Sequence, residues 1–88
     1  MRIDFTENAW QDFEYWLDSD AEIAQKIRAL LKDIRRDPFK GLGKPEPPRF
    51  ELQGFWSRRI TNEHRLVYAI HGSGKNQTCS VIQCRYHY

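Results

Sequence analysis

Glu46 stands between Pro45 and Pro47, two rings that remove backbone freedom and so restrict where its carboxylate can point. Arg65 opens an apolar run, Leu66-Val67-Tyr68-Ala69-Ile70, and His87 and Tyr88 close the chain. The three charge types suit RNA cleavage by an internal 2′-hydroxyl. A carboxylate takes the hydroxyl proton, a guanidinium holds the phosphorane charge, and an imidazolium protonates the departing 5′ oxygen. That route needs no metal. A terminal carboxylate one residue beyond His87 favours its protonated ring, as an acid requires. Lys44, Arg49, Arg58 and Arg59 add cations, and Phe55, Trp56, Tyr86 and Tyr88 offer faces on which a displaced base can stack. Each residue also has an ordinary reading: a solvent-facing loop glutamate, an edge arginine reaching for water, a frayed chain end. Many small basic domains contain a Glu, an Arg and a His. On spacing alone a plain nucleic-acid-binding module fits as well as an enzyme. A metal site is the weakest option, because His64, His71, His87, Cys79 and Cys84 include no pair with ligand spacing.

The elements that must position these residues fit one domain spanning residues 1–88, since 88 residues are the size of a single folding unit. Forty per cent hydrophobic residues, with 3 Trp, 4 Tyr and 5 Phe, can build a core. No apolar run is long enough to span a bilayer, and the acids near the start argue against a secretory leader, so the cytoplasm is the expected compartment. Two cysteines, Cys79 and Cys84, are too few for a disulfide scaffold; five residues apart on a strand, they should face opposite ways. Charge is divided along the chain. Residues 1–22 carry seven acids against Arg2, net −6, whereas residues 23–88 carry thirteen Lys/Arg against five acids, net +8. The second part suits an anionic partner, nucleic acid above all.

Met1 to Phe5 alternates and predicts an opening strand. Thr6 is an N-cap, and Trp10, Phe13, Trp16 and Leu17, with Ala9, predict a first helix buried along that side. Ser19-Asp20-Ala21-Glu22 has the form of a capping box opening a second helix, in which Ile23, Ile27, Leu30, Leu31 and Ile34 form the apolar stripe. Asp37-Pro38 ends it. Four prolines and two glycines between Pro38 and Pro48 then demand a restrained loop. Beyond it the period changes to two, predicting strands at Arg49–Leu52, Phe55–Ile60, Arg65–His71 and Thr78–Tyr86. The expected fold is α+β: an N-terminal strand and two helices packed on one face of a curved antiparallel β-sheet. Leu66, Tyr68 and Ile70 should face the helices, leaving Arg65 on the open face. Glu46, Arg65 and His87 should converge there.

Five blocks closely resemble the YoeB toxin family within the RelE/ParE-like superfamily: Arg35-Arg36-Asp37-Pro38-Phe39, Gly41-Leu42-Gly43-Lys44-Pro45-Glu46-Pro47, Gly54-Phe55-Trp56-Ser57-Arg58-Arg59-Ile60, Glu63-His64-Arg65-Leu66-Val67-Tyr68 and Cys84-Arg85-Tyr86-His87-Tyr88. The resemblance runs essentially end to end. It implies a RelE-like fold and a toxin of a type II toxin–antitoxin pair, an endoribonuclease cutting mRNA in the A site of the translating ribosome without a cofactor. By the same resemblance the general base falls on Glu46, the phosphate-binding arginine on Arg65, the general acid on His87 and the terminal active-site tyrosine on Tyr88. Arg49 occupies the place of a family lysine. The resemblance further implies a YefM-type antitoxin whose acidic tail covers the site, frequent homodimers, and operator DNA bound only through the toxin–antitoxin complex. A gyrase poison of the ParE kind shares the superfold and is the main rival, because fold alone does not fix activity.

Overall fold

The structure, a computed structural model, describes residues 1–47 and 54–86. Strand β1 (Arg2–Phe5) leads into helices α1 (Glu7–Ser19) and α2 (Ala21–Arg36), and after the Pro/Gly loop come β2 (Trp56–Arg59), β3 (Arg65–His71) and β4 (Thr78–Gln83). Their order across the sheet is β1-β4-β3-β2. β2, β3 and β4 are antiparallel neighbours, as short connections require. β1 instead runs parallel to β4, with Arg2 opposite Thr78 and Phe5 opposite Val81. The sheet is therefore mixed, not purely antiparallel. Hairpin logic governs strands adjacent in sequence; β1 and β4 are separated by both helices and by β2 and β3, so no tight turn fixes their relative direction.

Local chemistry sets the helix ends. The Thr6 hydroxyl accepts from the Ala9 amide at 3.1 Å and donates to the Ile82 carbonyl at 3.2 Å, which ties the start of α1 to β4. The cap of α2 is Asp20, which accepts from the Ile23 amide at 3.3 Å, so the capping residue lies one position later than the Ser19 box predicted. Ser19 still belongs to α1. Asp37 closes α2 before Pro38, as expected.

One apolar cluster joins Ala9 and Trp16 of α1, Ala24, Ile27, Leu30 and Ile34 of α2, and Ile60, Leu66, Tyr68, Cys79, Val81 and Cys84 from the sheet side. Full burial of each Ile or Leu is worth roughly 1.5–3 kcal/mol. Ile27 and Ile34 are completely buried, as the α2 stripe predicted. The α1 stripe is narrower than expected: Ala9, Phe13 and Trp16 follow one line, while Trp10 and Leu17 flank it and stay exposed. Trp10 packs its ring on Phe5 and Phe13 instead. The cysteine expectation also needs correction. Both thiols are free and both enter the same core, because β4 ends at Gln83 and Cys84 no longer obeys strand parity. Burial pushes both thiols up to about 12. The predicted strand Arg49–Leu52 lies outside the described residues. Among the described residues, no helix is long and apolar enough to cross a membrane.

Candidate active site

The Pro/Gly loop is held from below by a buried arginine. Arg58 is completely buried and donates from Nη1 to Asp33 Oδ2 (2.6 Å) and the Leu42 carbonyl (3.1 Å). Its Nη2 donates to the carbonyls of Asp37 (2.7 Å) and Lys40 (3.2 Å), and its Nε to the Tyr68 hydroxyl (3.1 Å). The Tyr68 hydroxyl in turn donates to the Pro38 carbonyl at 2.7 Å. Asp33 also accepts from the Leu42 amide at 2.8 Å and from Arg36 Nε at 3.0 Å. Chiefly the Leu42 amide, aided by Arg58 and Arg36, holds the Asp33 carboxyl down at about 2, against a smaller opposing effect of burial. Gly41 and Gly43 adopt left-handed backbone, with φ of 128° and 77°, directly over this cluster. A Cβ on Gly43 would lie 2.9 Å from the Arg59 carbonyl, so the loop can approach β2 only without a side chain there. Arg58 was expected on an RNA-binding surface; its five bonds and full burial make it a structural cation instead.

From that base the loop reaches the sheet edge. The Glu46 amide donates to the Ser57 carbonyl at 2.8 Å and the Ser57 amide to the Glu46 carbonyl at 3.1 Å, an antiparallel bridge beside β2. Directly opposed residues share a face. Glu46, Ser57, Val67 and Gln83 thus form one row across the sheet, and Arg59 and Arg65 form the next. This is the face turned away from the main core cluster, although Val67 and Ala69 in its centre are shielded too. Strand spacing of about 4.8 Å puts the Glu46 and Arg65 backbones roughly 10 Å apart across the strands, a span that two long side chains can close around one phosphate. Arg59 and Lys44 are both exposed near the loop–β2 junction, where the Arg59 amide donates to the Gly43 carbonyl at 2.6 Å.

Arg65 is half-buried and held by the turn before β3. Its Nη1 donates to the carbonyls of Thr61 (2.8 Å), His64 (3.1 Å) and Asn62 (3.3 Å). Among the described residues Nε and Nη2 bond no protein group, which leaves one edge of the fork facing outward for an anion.

The chain end is docked rather than loose up to Tyr86. Trp16 Nε1 donates to the Cys84 carbonyl at 2.8 Å, the Cys84 amide donates to Asp12 Oδ2 at 3.1 Å, and the Arg85 guanidinium stacks 3.5 Å from the Tyr15 ring centre. Gln83 Nε2 donates to the Arg85 carbonyl at 2.8 Å. The Tyr86 amide donates to His64 Nδ1 at 2.7 Å, and the Tyr86 carbonyl accepts from the Arg65 amide at 3.0 Å. The last strand stops at Gln83, three residues short of its predicted end, because these side-chain bonds take over from the ladder. His87, Tyr88 and Arg49 lie outside the described residues. The register puts Glu46 and Arg65 on one face, and the expected convergence of His87 with them falls outside the described residues. Sequence reasoning missed Asp33 and His64: Asp33 reads as one more polar position on a helix face, and His64 as a turn residue.

The arrangement of two helices over a mixed sheet is shared with solved toxins of bacterial toxin–antitoxin systems. A family model described as "YoeB-like toxin of bacterial type II toxin-antitoxin system" matches residues 5–88. Toxin YoeB of Escherichia coli K12 is 50% identical over 88 residues, 100% of both chains. The solved YoeB/ParE toxin from Agrobacterium tumefaciens superposes with a TM-score of 0.94 at 50% identity, covering 100% of both chains. From Staphylococcus aureus, a YoeB dimer (TM-score 0.88, 38% identity) and a heterotetrameric YoeB–YefM toxin–antitoxin complex (0.85, 39%) each cover 100% of this chain and 98% of theirs. The chain belongs to the YoeB toxin family of bacterial type II toxin–antitoxin systems.

Proposed function

We propose that this toxin is a ribosome-dependent endoribonuclease that cuts mRNA in the A site by metal-independent general acid–base catalysis, and so stops translation. The observation carrying the reading is the common face of Glu46 and Arg65, with one edge of the arginine fork left for an anion. In the reaction, Glu46 takes the 2′-hydroxyl proton as O2′ bonds to phosphorus. Arg65 holds the phosphorane oxygens, and the P–O5′ bond breaks as His87 gives its proton to O5′. The balance leaves a 2′,3′-cyclic phosphate and a 5′-hydroxyl. Tyr88 walls the site, and Lys44, Arg49 and Arg59 contact the RNA backbone. A YefM-type antitoxin with an acidic tail fits the +8 part of the chain, through association that weakens with salt.

The test is cleavage of a defined message on programmed ribosomes, with both new ends identified. His87→Ala and Glu46→Ala should each slow cleavage by roughly 10²–10⁴-fold, the usual worth of general acid or base catalysis. Ribosome affinity should change little, because it rests on many dispersed cations. Stripping metal from the toxin before ribosomes and their magnesium are supplied should leave the rate unchanged. Full activity of both His87→Ala and a Tyr88 deletion would overturn the reading in favour of a binding module.

A further inference from the structure

We propose that His64 is a positioning residue for the chain end: through Nδ1 it fixes the direction in which the backbone leaves Tyr86 towards His87 and Tyr88. The inference rests on the roles proposed for those two residues.

Two consecutive residues grip both backbone polar groups of one residue, Tyr86. His64 Nδ1 accepts the Tyr86 amide at 2.7 Å, and the Arg65 amide donates to the Tyr86 carbonyl at 3.0 Å. Since an amide can only donate, Nδ1 must carry the lone pair and the ring proton sits on Nε2. The ring is not free to turn away. Its centroid stands 4.7 Å from Trp16 in an edge-on contact and 5.8 Å from Tyr86. Trp16 itself is buried and bonded to the Cys84 carbonyl, so helix α1, the turn and the chain end meet at this imidazole.

The backbone at this point has a reason to need holding. Tyr86 has φ 66°, in the left-handed region. A residue with a Cβ is disfavoured there, so the two bonds oppose relaxation of the backbone at Tyr86 to an extended course. The same turn supplies the carbonyls of Thr61, Asn62 and His64 to the Arg65 guanidinium. One turn therefore sets both the phosphate-facing arginine and the exit of the chain end.

The experiment compares His64→Ala, His64→Asn and His64→Gln. Asparagine can put its carbonyl oxygen near the place of Nδ1 and does not protonate; glutamine puts it near Nε2, too far along. On programmed ribosomes His64→Ala and His64→Gln should lose cleavage rate by about 10²-fold, the scale expected from a misplacement of an ångström, with ribosome affinity unchanged. His64→Asn should keep the larger part of the rate. In NMR spectra of the free toxin, the Tyr86 amide should be protected from exchange in the parent and in His64→Asn, and open in the other two. Equal cleavage rates for Asn and Gln variants, or an exchange-protected Tyr86 amide in His64→Ala, would overturn the proposal. If the parent toxin cleaves no message at all, the proposed function fails, and the amide measurements alone then decide whether the clamp exists.

Discussion

The two supports of the site work by opposite physics. Beneath the Glu46 loop, Arg58 is completely buried and bonded to a carboxylate, a phenol and three carbonyls drawn from residues 33 to 68. At the other end, His64 is half-exposed and holds Tyr86 by one bond between neutral groups. A buried charge that loses its partner costs several kcal/mol, whereas a neutral hydrogen bond near water contributes about 0.5–1.5 kcal/mol net. The loop is therefore fixed as firmly as the fold itself. The chain end is fixed by a contact that can fail without unfolding anything. If the proposed roles hold, folding and placement of the proposed catalytic groups are separable, and mutations at the two supports should separate them.

The largest effect is expected at Arg58. Arg58→Met leaves the Asp33 carboxylate and three loop carbonyls without their donor, and urea unfolding should record a loss of about 3–5 kcal/mol. His64→Ala should lose no more than about 1 kcal/mol in the same measurement. Equal losses would erase the distinction.

A smaller change separates the two by pH. Asp33 has its carboxyl lowered from 3.8 to about 2 in the fold. A lowered value means that the unfolded chain binds the proton more readily, so the stabilisation is complete above pH 3.8 and is lost as pH falls through about 2. At 1.36 kcal/mol per unit it amounts to about 2 kcal/mol. Asp33→Asn should therefore be weaker than the parent by about that much at neutral pH, and the gap should close on strong acidification. A constant gap across that range would mean that the carboxylate is not what holds the loop.

The smallest effect is read from the cysteines. Burial puts both thiols at about 12, so neither should react with a disulfide reagent at mildly alkaline pH in the folded parent. Both should stay silent in His64→Ala, because Asp12 and Trp16 anchor Cys84 ahead of the clamp. Labelling of Cys84 in that variant would mean that the clamp supports more than the last residues. Arg58→Met, loosened at the core, should label at both.

The elements were legible wherever a local rule governs them. The α2 stripe, the Asp37-Pro38 stop and β3 at Arg65–His71 follow from periodicity and backbone sterics alone, and the structure has each in place. The misses come where a distant partner decides. Ser19 and Asp20 are both good caps, and only the path of the chain selected Asp20. Cys84 leaves strand parity because Asp12 and Trp16, some seventy residues earlier, capture its backbone.

Sequence by itself determined the α+β class, the two helices, the rigid Pro/Gly loop and the residues able to do acid–base chemistry, because caps, prolines and apolar spacing act over a few neighbouring residues. It also carried the family, in blocks whose order and identity are specific. Tertiary structure decided that β1 runs parallel to β4, that Arg58 faces the core while Arg59 faces solvent, and that His64 receives the amide of Tyr86. Alternation along a strand says that two neighbouring arginines face opposite ways, but not which one is buried. That choice depends on Asp33 and three carbonyls arriving from another part of the chain, and only the folded molecule brings them within hydrogen-bonding distance.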